Sequence, residues 1–318
     1  MSKSNIIDVQ QLPLLLSLDD LSPEDFISYY LNNRKDIEEK LLKYGAIKFK
    51  GIRINDLKSF QHIVNSISDK FLNYIDGNSP RIKLSGHVYT STEYDKTQKI
   101  TMHNELSYSA KWPNKLFFNC LIPAETGGET LLADSRKILQ IMDQEIIKEI
   151  ESKGVMYIRN LNGGISGMGV TWQETFETDD KELVEQYCKS NGIDYEWTNK
   201  DNLRIKQYSK GIITHRVTGE KIWFNQIDQF HPCHLGEEIF ESMKIIYDSP
   251  ECFPMYVKFG DGTEISESFV KEILSTIEKV TIAPKWDKDE LLIVDNEMVS
   301  HGRNSFTGKR HVIVAMSE

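Results

Sequence analysis

Cysteine is scarce and unpatterned in this chain. The four present, Cys120, Cys188, Cys233 and Cys252, lie far apart and form no Cys-x-x-Cys pair. A disulfide framework or a cysteine-rich zinc site is therefore not expected, and a reduced, cytoplasmic setting fits best. Long apolar runs are missing as well: nothing approaches the ~18 residues of a membrane span. The leucine cluster Leu12 to Leu18 follows Asp8 and runs into Asp19-Asp20 without a small-residue cleavage site, so it does not read as a signal peptide. Positive charge is in short supply. The 38 Lys and Arg face 48 Asp and Glu, a formal net charge of −10. That speaks against a general binder of nucleic acid or of anionic membrane, both of which need a basic footprint. It leaves room for a local pocket that takes a small anion. No Gly-x-Ser-x-Gly elbow occurs, so a serine hydrolase of that type has no support.

Apolar residues make up 39 % of the 318, a globular composition with ample material for a core. The length fits one large domain or two small ones. Ser22-Pro23-Glu24-Asp25 reads as a helix start, with a cap, an early proline and early acids, and Gly45 as its stop. Ala46 to Gly51 alternates like a strand. Asp56 to Ile75 reads as a second amphipathic helix, with Phe60, Ile63, Val64, Ile67, Phe71 and Leu72 at helical spacing. From Pro80 onward short strand-like runs alternate with turns. They include Leu116 to Leu121, Thr130 to Ala133, Val155 to Arg159, Ile212 to His215, Glu220 to Asn225, Leu291 to Val294 and Arg310 to Met316. Helical inserts are expected at Ser135 to Ser152, about Asp180 to Lys189, and Ser266 to Lys279. The expected class is mainly β with helical decoration: a jelly roll preceded by a helix-rich lead-in over residues 1–85, all in one domain, 1–318.

Several segments carry groups suited to chemistry. In Thr101-Met102-His103-Asn104-Glu105, a strand would project His103 and Glu105 from one face, an imidazole beside a carboxylate. The plain alternative is the wet face of an amphipathic strand. Near the end stands Ser300-His301-Gly302-Arg303. Two histidines and one carboxylate from distant segments have the composition of a facial-triad iron site, and equally of a catalytic zinc site. Arg310 opens the apolar run Val312 to Met316. A buried guanidinium there needs an anion, whether an acidic side chain of the protein or a carboxylate of a co-substrate. Glu125-Thr126-Gly127-Gly128-Glu129-Thr130 is a tight turn feeding a strand, with the Thr130 hydroxyl at its start. No lysine follows the glycines, so it is not a phosphate loop. Gly163 to Gly169 reads as a mobile loop of the kind that covers an active site. His231-Pro232-Cys233-His234 is rich in metal-loving groups but lacks a partner pair at zinc-finger spacing, and reads as a structural turn.

Four of these signals share one order: His103-x-Glu105, Gly127-Gly128-Glu129-Thr130, His301-Gly302-Arg303 and Gly308-x-Arg310. In that order the chain resembles the taurine dioxygenase family of Fe(II)- and 2-oxoglutarate-dependent oxygenases, most closely its clavaminate-synthase-like and syringomycin-pathway hydroxylase branch. The resemblance runs from about Gly86 to Met316. It includes Val88-Tyr89-Thr90-Ser91-Thr92-Glu93-Tyr94, Thr171-Trp172-Gln173, Thr218 to Gln226 and Phe259-Gly260-Asp261-Gly262. It implies a double-stranded β-helix in which His103, Glu105 and His301 hold Fe(II). Arg310, with the Thr130 hydroxyl beside it, would bind the distal carboxylate of 2-oxoglutarate, and O2 would be the second co-substrate. The implied reaction hydroxylates an aliphatic C–H of an amino acid or amino-acid-derived group, in specialised-metabolite biosynthesis. Desaturation or cyclisation begins with the same step. Candidate substrate contacts are Asn104, Arg303 and Asn225. Two departures narrow this. Val314 and Ala315 stand where the taurine enzymes place a sulfonate-binding arginine, so a sulfonate is not expected. Glu105 is a full carboxylate ligand, which argues against a halogenase. A substrate tethered to a carrier protein remains an alternative, although a chain at −10 has no overall attraction to acidic carriers, which favours a free small molecule. Two other readings compete: a zinc hydrolase with the same three ligands, and a non-catalytic jelly-roll binding protein. The oligomeric state is left open.

Overall fold

A computed structural model describes residues 12–79, 81–91, 94–164, 169–198 and 201–318. Most of the expected glycine loop, residues 165–168, lies outside that range, as do Thr92 and Glu93. Helices and strands hold comparable shares of the described residues. The helices are thus more than decoration on a β framework. Among the described residues no helix is long and apolar enough to cross a membrane.

The centre is a seven-stranded sheet. Its strands, from one edge, are Leu14–Leu21, Ala46–Ile52, Leu291–Asp295, Lys115–Ile122, His311–Ser317, Val88–Thr90 and Lys83–Ser85. The first pair is parallel and the other pairings are antiparallel. The leucine cluster of the N-terminus is therefore an edge strand. Period-two alternation divides the sheet between two cores. Phe117, Leu291, Ile293, Ile313 and Ala315 face one way and pack with Phe26, Tyr30, Ile37, Leu41, Phe60, Ile63 and Val64 of the lead-in helices. Leu116, Phe118, Leu292, Val294, Val312 and Val314 face the other way, into the main core.

That second core also holds Leu131, Leu132, Ala133 and Val299, from a three-stranded sheet. Its strands are Ile100–His103, Val299–Arg303 and Thr130–Asp134, in that order. His301 pairs directly with His103, and Arg303 with Thr130. A third sheet, with Val155–Leu161 paired to both Asn202–Ser209 and Met255–Phe259, carries two smaller cores of its own.

Local chemistry explains most of the boundaries. Ser22 accepts from the Asp25 N–H and caps the first helix, Pro23–Asn32. Gly45, at φ 74°, ends the next, Arg34–Tyr44. The expected single helix to Lys43 is broken at Asn33, whose φ and ψ are −111° and 14°. The helix expected to reach Ile75 spans only Leu57–Ile67. Beyond it, Leu72 donates its N–H to the Met316 carbonyl and Phe71 bridges to Ser317, so pairing with the C-terminal strand outcompetes the helical spacing. The insert Ser135 to Ser152 is two helices, Ser135–Ile141 and Gln144–Lys153. Asp143 caps the second.

Candidate metal centre and co-substrate pocket

His103 is the last residue of its strand, and Glu105 lies beyond it in irregular backbone. A shared strand face, the expected arrangement, is thus not what joins them. A turn does, with Leu106 in the left-handed region at φ 56°. The wet-face alternative also fails, because His103, Glu105 and Ser107 are all buried. One ligand atom from each of His103, Glu105 and His301 lies within 4.8 Å of the others. The two imidazole centroids are 4.3 Å apart, and His301 Nε2 is 3.6 Å from Glu105 Oε2.

The protonation states suit a cation. Burial first, then the facing His301 ring, push His103 down to about 3. Its Nδ1 lies 2.9 Å from the Thr101 carbonyl, which can only accept, so Nδ1 carries the proton and Nε2 keeps its lone pair. For Glu105, burial acts upward, but Arg81 and the two imidazoles outweigh it and hold the carboxyl below the usual range. Arg81 Nη2 stands 2.5 Å from Glu105 Oε2 and its guanidinium lies over the Tyr74 ring. Two imidazoles and a carboxylate form a donor set suited to a divalent transition metal, and neither the neutral His103 Nε2 nor the ionised Glu105 need first lose a proton. Among the described residues no other group of three or more His, Cys, Asp or Glu is placed to hold a metal. His231-Pro232-Cys233-His234 forms a 3-10 turn capped by the His231 side chain, as the spacing suggested.

His103 and His301 open onto a small cavity also lined by Arg81, Ser91, Phe118, Thr130, Arg303 and Arg310. Arg310 sits just before its strand, not within it. Its Nε donates to the Gly128 carbonyl at 2.8 Å and its Nη1 to the Ser91 hydroxyl at 3.1 Å. Among the described residues no carboxylate lies within ion-pairing distance of it. Burial first, then the neighbouring Arg303, lower it to about 10. Among the described residues this guanidinium thus has no ion-pair partner, and it lines the same cavity as His103 and His301. The Thr130 hydroxyl accepts from the Trp286 indole at 2.9 Å, which leaves its own proton for a carboxylate.

The three expected substrate contacts are otherwise engaged. Asn104 donates its amide to the Asn296 carbonyl at 2.6 Å and is fully buried in the frame. Asn225 ties the Gly211 carbonyl to the Ile227 N–H and does not line the cavity. Arg303 does line it, but donates to the carbonyls of Tyr94, Asp95 and Gln98 and so holds that loop. Sequence reasoning missed Arg81 and Trp286. No motif marks either one, since each reaches the site from a separate connecting segment. Ser91 lay inside a quoted motif without a role.

Such a pocket between two sheets belongs with the Fe(II)- and 2-oxoglutarate-dependent dioxygenases. Within that class the chain is a member of the taurine catabolism dioxygenase TauD, TfdA family, which matches residues 9–316. The family match thus takes in most of the helical lead-in that the quoted motifs left out. Dapdiamide synthesis protein DdaC of Enterobacter agglomerans is 34 % identical over 300 residues, 94 % of this chain and 88 % of that protein. A clavaminate synthase-like protein of Arabidopsis thaliana is 29 % identical over 287 residues, 88 % of this chain and 83 % of its own length. Among solved structures, PvcB of Pseudomonas aeruginosa superposes with a TM-score of 0.53 at 11 % identity, covering 95 % of this chain and 84 % of that one. AAD-2, in complex with Mn(II) and N-oxalylglycine, gives 0.52 at 13 %, covering 90 % and 87 %. These two likenesses concern the fold alone.

Proposed function

We propose that His103, Glu105 and His301 hold Fe(II), and that Arg310, Thr130 and Ser91 bind the distal carboxylate of 2-oxoglutarate. The protein then hydroxylates an unactivated C–H of an amino acid or an amino-acid-derived substrate, in specialised-metabolite biosynthesis in the cytoplasm. The whole chain, 1–318, acts as one domain, with the two facing sheets as a double-stranded β-helix. The observation that carries this reading is the pairing of a three-ligand cluster with a half-buried arginine that lines the same cavity as His103 and His301. A zinc hydrolase has no use for that arginine.

When bound, the iron with 2-oxoglutarate and O2 supplies the oxidising power, with succinate and carbon dioxide as co-products. The chain's own groups do the rest. His103 and His301 would each supply one ring nitrogen, and Glu105 one negative charge. Arg310 offers a fork that matches a carboxylate, and its partial desolvation strengthens that contact. Phe118 and Ile100 line the cavity with apolar surface and limit water. The name of DdaC, a synthesis protein for dapdiamide, supports the biosynthetic setting.

The test is anaerobic addition of Fe(II) and 2-oxoglutarate, watched for the weak visible charge-transfer band of the chelate. The wild type should show it, and His103→Ala should not. Absence in the wild type overturns the reading. Substrate-dependent succinate release across a panel of free and carrier-tethered amino acids then identifies the substrate class.

A further inference from the structure

Glu105 has no strand to hold it. The ladder ends at His103, and residues 105–108 turn, with Leu106 at positive φ. A non-glycine residue in that region persists only where its surroundings over-determine it. Arg81 holds the Glu105 carboxylate and Gln226 donates to the Asn104 carbonyl and the Ser107 hydroxyl, but the Glu105 backbone is held by one side chain. Asn296 is fully buried in the connection between Leu291–Asp295 of the large sheet and Val299–Arg303 of the small one. Its Oδ1 accepts the Glu105 N–H at 2.7 Å. Its Nδ2 donates to the Glu105 carbonyl at 3.0 Å and to the Pro113 carbonyl at 2.9 Å.

The backbone of Asn296 completes the contact. Its carbonyl accepts from the Asn104 amide, and its N–H donates to the Asn114 carbonyl at 2.8 Å. Next to it, Asp295 Oδ1 accepts the N–H groups of Glu297 and Met298, which shapes the turn that leads into the His301 strand. Asn296 therefore fastens the Glu105 segment to the turn that leads into the His301 strand. Only a carboxamide does this, because it accepts at one end and donates twice at the other.

We propose that Asn296 is a positioning residue for the metal centre: it sets the Glu105 carboxylate at its distance from His301 and thereby the metal affinity. This rests on the reading of His103, Glu105 and His301 as the metal site. The substitution Asn296→Asp would keep the acceptor toward the Glu105 N–H but lose both donors and bring a charge against two carbonyls.

The test is titration of the metal-free protein with Co(II), followed by its visible d–d bands, for the wild type, Asn296→Ala, Asn296→Asp, His103→Ala and Asn119→Ala. Asn119 is also fully buried and donates to a backbone carbonyl, that of Glu290, so its variant controls for loss of a buried amide. Melting temperature is read for each. The wild type should bind one Co(II), and His103→Ala should abolish it. Both Asn296 variants should bind roughly 10- to 100-fold more weakly, with altered band intensities, the range seen when groups behind a ligand are removed. Asn119→Ala should lose melting temperature but not affinity. Wild-type affinity in the Asn296 variants overturns the proposal, as does an equal loss in Asn119→Ala. Equal Co(II) binding by wild type and His103→Ala overturns the site reading itself, and the proposal with it. If Asn296→Ala does not fold, Asn296→Asp decides.

Discussion

The charge that matters at the residue scale is local. Arg310 makes two neutral hydrogen bonds, to the Gly128 carbonyl and the Ser91 hydroxyl, and faces a cavity with Arg303 beside it. A bound carboxylate would relieve both the burial and the repulsion. Arg310→Lys keeps a charge but loses the fork. It should weaken 2-oxoglutarate binding by about 2–3 kcal/mol, on the order of a hundredfold, with little change in metal affinity. Titrating the chelate band with 2-oxoglutarate measures this, and wild-type affinity in the variant would remove Arg310 from the site. His231 is the residue to watch as pH changes. Burial lowers it to about 4, against a rise from Glu267. It packs against Phe240 and Tyr256. The unfolded chain, titrating near 6.5, binds the proton first, so stability is lost as pH falls from about 6.5 toward 4. At pH 5 the loss from this group is about 2 kcal/mol. Urea unfolding at pH 7.5 and pH 5 should show it in the wild type and show less of it in His231→Gln. An undiminished pH dependence in that variant would contradict the assignment.

Short connections do the positioning at the scale of elements. The pair Thr126–Gly127 with Phe306–Thr307 brings Gly128 beneath Arg310. Gly128 sits at φ 70°. A Cβ there would meet Ala124 Cβ at 2.9 Å and Arg310 Cδ at 3.0 Å. Gly128→Ala should therefore lower stability by roughly 1 kcal/mol or more from backbone strain alone. It should also raise the 2-oxoglutarate concentration needed for half-saturation. Thermal melts and chelate titration read the two effects separately, and a variant that binds 2-oxoglutarate normally would show that the turn does not set Arg310. The sequence carried this turn plainly, because paired glycines ahead of a short apolar run read as a turn feeding a strand. It did not carry the end of the helix Leu57–Ile67. Apolar residues continue at helical spacing to Leu72, and only the hydrogen bond from Leu72 to Met316 shows why the helix stops. The edge strand Leu14–Leu21 was similarly hidden: its leucines alternate in exposure, but the strand exists only through parallel pairing with Ala46–Ile52.

At the scale of the molecule, the site draws on several elements of two sheets that share one core. His103 and His301 sit on the small sheet, Glu105 on a turn, and Arg310 at the mouth of a strand of the large one. A ligand spanning them should tie the two sheets together. Metal at 100 times its dissociation constant should add about 2.7 kcal/mol, and 2-oxoglutarate at similar excess a further increment. Mn(II) under anaerobic conditions is a convenient probe. Melting temperature should rise by several degrees with Mn(II), rise again with 2-oxoglutarate, and fall back on chelation. Arg310→Ala should keep the first step and lose the second. A second step of wild-type size in that variant would contradict the assignment of the co-substrate pocket.

The chain by itself determined the ingredients. The order His103-x-Glu105, Gly127-Gly128, His301, Arg310 marked the chemistry, and the unbroken apolar run Val312 to Met316 marked a strand buried on both faces. Both are local properties, set by side-chain type and spacing. What only the tertiary structure decided is which polar groups remain available. Asn104, Asn225 and Arg303 looked fit for a substrate, yet each donates to backbone carbonyls of the frame. Arg81 and Trp286 carry no motif, yet packing brings them against Glu105 and Thr130. A buried backbone group must find a partner, and which side chain serves is settled by distances between segments far apart in the chain.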